Sequence, residues 1–289
     1  MERTLVTADV IAWYAAEARD LPWRRADVSP WGVVVSEFML QQTPVARVLA
    51  PWEAWLLRWP TPSALAAEPA GEAVRAWGRL GYPRRAQRLH QAACLMVSRH
   101  AGKVPETLAE LRALPGVGEY TAAAIASFAF GQRHVVLDTN VRRVLARVES
   151  GTEFPPASLG STERALAERW LPEGPGESSR WGVAAMELGA RLCTASTPAC
   201  HRCPIAASCR WFALGRPPSS QPRRVQAWEG TDRQCRGVLL ARLRTSAEGV
   251  ARDHLLAAWP QDAEQAERAL GSLLADGLIR QAAPDRWFL

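Results

Sequence analysis

Lysine is nearly missing from this 289-residue chain: of 35 basic residues, 34 are arginine and only Lys103 is lysine. Chemistry that needs a lysine amine therefore has a single candidate. Long apolar runs are missing as well. None reaches the roughly 18 residues of a membrane span, and Met1-Glu2-Arg3-Thr4 has no signal-peptide character. A cytoplasmic protein without membrane contact is expected. Alternating strand patterns are nearly absent up to residue 212, no internal repeat is visible, and the composition excludes collagen-like, disordered and small disulfide-stapled classes. What is there is enough chain for one large or two smaller domains, with 48% hydrophobic residues, six cysteines and a net charge of +6. The charge is spread, +4 up to residue 212 and +2 beyond it, and fits a polyanionic partner. Three clusters stand out: Arg84, Arg85 and Arg88; Arg142, Arg143 and Arg147; Arg223 and Arg224. Each reads as a solvated helix face or as a nucleic-acid contact.

Apolar residues recur at helical spacing in Val10, Trp13 and Tyr14, in Leu49, Trp52 and Leu56, and in Leu89, Ala92, Ala93 and Met96. Proline and glycine punctuate these runs, which predicts helices of about 10–15 residues and a mainly α domain over 1–212. Residues 213–232 are rich in Pro, Ser and Arg and read as a linker. Residues 233–289 read as a compact module. Helices are predicted at 236–244, 251–259 and 262–276, with a two-stranded ribbon over 278–281 and 286–289. That pattern suggests a small winged-helix-like α/β unit, or an ordinary packing module of the same size.

Cys193, Cys200, Cys203 and Cys209 form C-x6-C-x2-C-x5-C. Thiols this close cannot act as long-range staples, so metal is the natural reading. Zinc sites usually split their ligands into two separated pairs. One pair flanked by single cysteines on short loops favours an iron–sulfur cluster over zinc or no metal. Cys94 and Cys235 read as buried or free thiols.

Leu114-Pro115-Gly116-Val117-Gly118 precedes an apolar helix predicted over 120–130. Gly116 and Gly118 allow a tight turn, and the N–H groups that follow can hold a phosphate. This is the helix-hairpin-helix pattern, a sequence-independent grip on the DNA backbone or a plain joint between helices. Glu37 lies in Trp31-Gly32-Val33-Val34-Val35-Ser36-Glu37-Phe38-Met39-Leu40. Such apolar company raises a carboxyl pKa and suits general-acid work, although a satisfied buried glutamate fits equally. Asp138 ends the run Val135-Val136-Leu137 and precedes the basic stretch Thr139-Asn140-Val141-Arg142-Arg143. It reads as a helix N-cap, and a capped carboxylate kept at low pKa could also face a developing cation.

In this order, Leu21-Pro22-Trp23-Arg24, Ser36-Glu37-Phe38-Met39-Leu40-Gln41-Gln42-Thr43, Leu80-Gly81-Tyr82, the hairpin with Glu119-Tyr120-Thr121, the Asp138 motif and Glu187-Leu188-Gly189-Ala190 leading into the cysteines form a specific set. Over about residues 8–212 the chain resembles the helix-hairpin-helix base-excision DNA glycosylases with an iron–sulfur cluster, most closely the MutY adenine glycosylases. The resemblance implies a two-lobed, mainly α fold and a 4Fe-4S cluster on the four cysteines. It also implies a monomer acting on double-stranded DNA with adenine opposite 8-oxoguanine or guanine, in the bacterial nucleoid. By the same similarity the adenine is flipped into a pocket, Glu37 protonates it, and Asp138 stabilises the oxocarbenium-like sugar. Tyr120 and Asn140 line that pocket, with Arg24 beside the adenine. Gln41, Gln42 and Tyr82 fall among the DNA-contacting residues, the last two as wedges in the duplex. The endonuclease III branch is the runner-up, and action on T or U opposite G is a further alternative. That branch holds a catalytic lysine just after the hairpin glycines, where this chain has Tyr120. A non-catalytic DNA-binding protein on the same scaffold is the remaining alternative. The MutY family's Nudix-like C-terminal domain, which reads 8-oxoguanine, is larger than residues 233–289. The winged-helix-like module is expected to contact DNA in its place.

Overall fold

The computed structural model describes residues 2–219, 228–283 and 285–289. Arg223, Arg224 and the centre of the expected linker lie outside the described residues. The helices, in chain order, are α1 (Glu2–Glu17), α2 (Pro30–Leu40), α3 (Leu49–Arg58), α4 (Pro62–Ala66), α5 (Ala70–Trp77), α6 (Arg84–His100), α7 (Leu108–Arg112), α8 (Glu119–Phe130), α9 (Thr139–Leu145), α10 (Ser161–Trp170), α11 (Pro175–Arg191), α12 (Arg210–Ala213), α13 (Asp232–Arg244), α14 (Arg252–Leu256) and α15 (Ala263–Ala275). Three short strands, β1 (Val250–Ala251), β2 (Arg280–Ala283) and β3 (Arg286–Phe288), complete the described elements. The mainly α expectation is met. None of the described helices is long and apolar enough to cross a membrane.

The chain divides into two compact units. The first holds residues 1–33, 106–112 and 117–223; the second holds 34–105, 113–116 and 224–289. In the first unit α11 is the central element. Pro175 starts it, where a missing N–H costs nothing. Trp181, Ala184, Ala185 and Leu188 recur along one face and pack with Val6 and Val10 of α1 and with Val141, Val144 and Leu145 of α9. Each large side chain buried here contributes about 1.5–3 kcal/mol. Trp181 also stacks on Trp170 of α10, ring centroids 5.9 Å apart.

In the second unit α6 buries Leu89, Ala92, Ala93 and Met96, the stripe read from the sequence, and packs on α4 and α5. Trp55, Trp59 and Trp77 fill the neighbouring space edge to face. The C-terminal residues belong to this unit. Thr231 and Asp262 cap α13 and α15, whose leucine faces pack together. The three strands form an antiparallel sheet in the order β1-β3-β2, with Val250 opposite Trp287 and Arg280 opposite Phe288. The resulting order helix–strand–helix–helix–strand–strand is winged-helix-like, with one strand more than the ribbon expected. The extra strand is two residues long, too short to show alternation in sequence.

Polar contacts tie the module to the rest of the second unit. Arg75 of α5 donates to the carbonyls of Leu243, Arg244 and Ser246, and Arg244 donates back to the Val74 carbonyl. Asp276 accepts from both Arg84 and Arg236, and Gln87 reaches the Gly277 carbonyl.

Candidate active site

Asp138 is the N-cap of α9, as the sequence indicated. One carboxylate oxygen accepts the backbone N–H groups of Asn140 (2.9 Å) and Val141 (2.7 Å). The other accepts the Asn140 side-chain amide at 2.7 Å. The low pKa expected of a capped carboxylate is overturned. Burial outweighs these hydrogen bonds and the nearby Arg143, and the carboxyl is pushed above its ordinary range. Tyr120, on the first turn of α8, sits partly buried against Ala123, Ala124 and Val136 of the same unit.

Asn140 is held in turn. Its side-chain oxygen accepts from Arg143 at 2.7 Å, and Arg143 also donates to the carbonyls of Gly189 and Cys193, both at 2.7 Å. Gly189 of α11 lies so close that a Cβ would stand 2.7 Å from Asn140 Cβ and 2.9 Å from its carbonyl oxygen. The Asp138 carboxylate is thus joined to the cysteine loop through Asn140 and one guanidinium.

The four cysteines line a single apolar cavity with Val144, Leu188, Leu192, Ile205 and Trp211. Among the described residues no three His, Cys, Asp or Glu side chains are gathered as around one ion. Thiols ringing a cavity suit a multi-iron cluster better than zinc. Burial and the neighbouring thiols push Cys203 up to about 12, so its thiolate is costly without a bound cation. Arg147 completes the fit. It is fully buried, lies 4.3 Å from the Trp211 ring centroid, and donates to the Cys193 sulfur and the Thr194 carbonyl. Its Nη2 is buried without a partner, a cation placed to face a cluster carried on four thiolates. Cys94 and Cys235 are free thiols, the second buried, as read from the sequence.

Arg24, expected beside the substrate base, pairs with Glu187 at 2.7 Å, and Arg19 holds the same carboxylate. Burial alone would raise Glu187, but the two guanidinium groups hold it at about 2. This fixes the loop after α1 against α11 within the first unit.

The second unit carries Glu37, Gln41, Gln42, Tyr82 and Gly116. Glu37 is 7% exposed on α2. Arg85 is buried and ties two loops together: it donates to the carbonyls of Phe38, Met39 and Gln41, to Thr43 Oγ1, and to the carbonyls of Leu80 and Gly81. Each loop presents an exposed side chain from a left-handed backbone, Gln42 at φ 53° and Tyr82 at φ 46°. Non-glycine residues are held there only where the surroundings over-determine them. Gly116 has φ 83°, and a Cβ there would stand 2.8 Å from Phe38 and 2.9 Å from Arg88, so glycine is required. Gly118 differs from expectation. Its φ is −88° with open space around it, so the turn itself does not require glycine there.

Reading arginine clusters as solvated or DNA-facing missed Arg85, Arg143 and Arg147, which are buried braces. The available signal was their position among apolar residues at helical spacing. Gly189, a glycine inside a helical pattern, also signalled a close approach.

Residues 35–172 match the HhH-GPD superfamily of base excision DNA repair proteins, and residues 193–209 match the iron–sulfur binding domain of endonuclease III. The adenine DNA glycosylase of Mycobacterium tuberculosis (strain ATCC 25618 / H37Rv) is 49% identical over 288 residues, 99% of this chain and 94% of the relative. A thermostable thymine-DNA glycosylase shares the fold with a TM-score of 0.65 at 24% identity, covering 73% of this chain and 97% of its own. Endonuclease III in a non-covalent DNA complex does so at 0.62 and 22%, covering 74% and 96%. With the capped carboxylate, the hairpin and the iron–sulfur loop in place, the chain belongs to the adenine DNA glycosylases of the helix-hairpin-helix base-excision superfamily.

Proposed function

We propose that this enzyme is a monofunctional glycosylase that removes adenine opposite 8-oxoguanine or guanine from double-stranded DNA, acting as a monomer in the cytoplasm. The observation that carries the monofunctional reading is the pairing of a buried, braced Asp138 with a unit that contains no lysine. The sole lysine, Lys103, is exposed and belongs to the second unit. Tyr120 occupies the position just after the hairpin glycines, so no amine stands there to form a Schiff base.

Asp138 faces the sugar. Its ionised form balances positive charge as the glycosidic bond lengthens, before water attacks. Asn140 and Arg143 hold the carboxylate still, and its desolvation makes the attraction to a cation stronger than it would be in water. Glu37, buried on α2, gives its proton to the departing adenine. The exposed N–H groups beginning α8 at Gly118 hold a backbone phosphate. Gln41, Gln42 and Tyr82 lie on the loops braced by Arg85 and meet the duplex, with Arg24 ordering the entry to the pocket. Cys193, Cys200, Cys203 and Cys209 hold a 4Fe-4S cluster, whose contribution when bound is a compact cross-link that orders the 193–209 loop. Residues 233–289 act as a winged-helix-like module within the second unit.

A panel of duplexes with A, T, U or an oxidised pyrimidine opposite G or 8-oxoguanine tests this reading. Excision of adenine alone is expected, with strand breaks appearing only after alkali and heat. Strand scission without alkali, with a borohydride-trapped adduct, would refute it.

A further inference from the structure

Three side chains of the second unit form one cluster around a guanidinium. The Arg233 guanidinium lies 4.9 Å from the Trp228 ring centroid and 5.8 Å from that of Tyr82, and its Nη1 donates to Tyr82 Oη at 2.9 Å. Both rings are open to solvent, Tyr82 at 42% exposure and Trp228 at 51%.

The frame around them is stiff. Tyr82 stands on the loop that Arg85 fastens. On the other side, Gln265 donates at 2.9 Å both to the Gly230 carbonyl and to Asp232, and Trp259 donates to Gln265 at 2.7 Å. Thr231 caps α13 and also donates to the Trp228 carbonyl. The short segment carrying Trp228 and Arg233 is therefore set by the module's interior. Two exposed rings held rigid around a cation bury little and add little to packing. They do match a base face laid open where a duplex is parted, in an anionic setting between phosphates.

The usual reading element of such a module points elsewhere. α15 directs Glu264 and Glu267 outward beside Arg268. From Trp228 to Leu289 the chain has eight arginines against nine carboxylates. A groove-reading helix is normally basic, because phosphate contacts supply most of the affinity.

We propose that Trp228 and Arg233 join Tyr82 as a single base-stacking platform through which the C-terminal module engages duplex DNA, leaving α15 off the DNA. This extends the glycosylase reading, which supplies DNA as the partner.

The test uses the full chain with its cluster, in an Asp138→Asn background, and a fluorescent duplex holding A opposite 8-oxoguanine. Arg233→Ala and Trp228→Ala are each expected to raise Kd about tenfold, the size of one lost base–aromatic stack. The double variant falls well short of the product, since both act through one cluster. Trp228→Phe keeps most of the affinity, while Arg233→Lys recovers only part of it because ammonium does not stack as a plane. Glu264→Gln with Glu267→Gln leaves Kd within twofold, and melting temperature and cluster absorbance match the parent in all variants. The proposal is overturned if the two alanine variants bind within twofold of the parent, or if the α15 pair changes Kd more than they do. Adenine excision by the unsubstituted protein, assayed in parallel, judges the glycosylase reading separately.

Discussion

At the scale of single residues, the balance at Asp138 sets the pH dependence that the proposed mechanism predicts. Its carboxyl is raised by burial, which overcomes two backbone N–H groups and the Asn140 amide. In the proposed mechanism excision uses the ionised form, so the acid limb of the single-turnover rate should lie above the ordinary aspartate value near 4, and Asp138→Asn should remove that limb. The substitution is expected to cost about 10²–10³-fold or more in rate, the scale of a lost charge-stabilising group. Stability moves the other way. A folded-state pKa above the unfolded one means that ionisation destabilises the fold as pH rises past the unfolded value. Asparagine also caps helices well. Asp138→Asn should therefore melt at or above the wild-type temperature near pH 7, and a lower melting point would contradict the burial argument.

At the scale of elements, the decisive contact is the approach of α11 to the start of α9 at Gly189. Gly189→Ala must push Asn140 away, and with it the clamp on Asp138. An excision rate lowered by about 10–100-fold is expected, as for a misplacement near 1 Å. The accompanying loss of stability is about 1–3 kcal/mol, and single-turnover kinetics with thermal denaturation would measure both. An unchanged rate would show that Asn140 does not hold the carboxylate. These elements also show what the sequence made legible. The N-cap at Asp138, the cysteine loop, the stripe on α6 and the three C-terminal helices follow from local pattern: a polar residue ending an apolar run, short spacings, a helical period. Arg85, Arg143 and Arg147 left only the faint trace of apolar neighbours at helical spacing, because an arginine's burial depends on carbonyls and rings brought in from distant segments. The raised pKa of Asp138 was missed likewise, since its desolvation comes from neighbours outside its own motif.

At the scale of the whole molecule, a set of side-chain hydrogen bonds ties the C-terminal module to the helices before it within the second unit. Arg75 is the main clasp, reaching three carbonyls at the end of α13. Arg75→Ala leaves them without that donor and should cost about 1–3 kcal/mol, lowering the denaturation midpoint while excision at saturating enzyme stays close to normal. A large loss of excision with an unshifted midpoint would instead assign Arg75 to the chemistry. The arginine-for-lysine composition has a practical corollary of its own. Apart from the chain's α-amino group, Lys103 is the one aliphatic amine, and it lies exposed just past the end of α6. An amine-reactive dye or cross-linker would therefore mark Lys103 and the α-amino group and leave the side chains of the first unit untouched. Lys103 is thus the one side-chain amine through which distances on DNA could be measured.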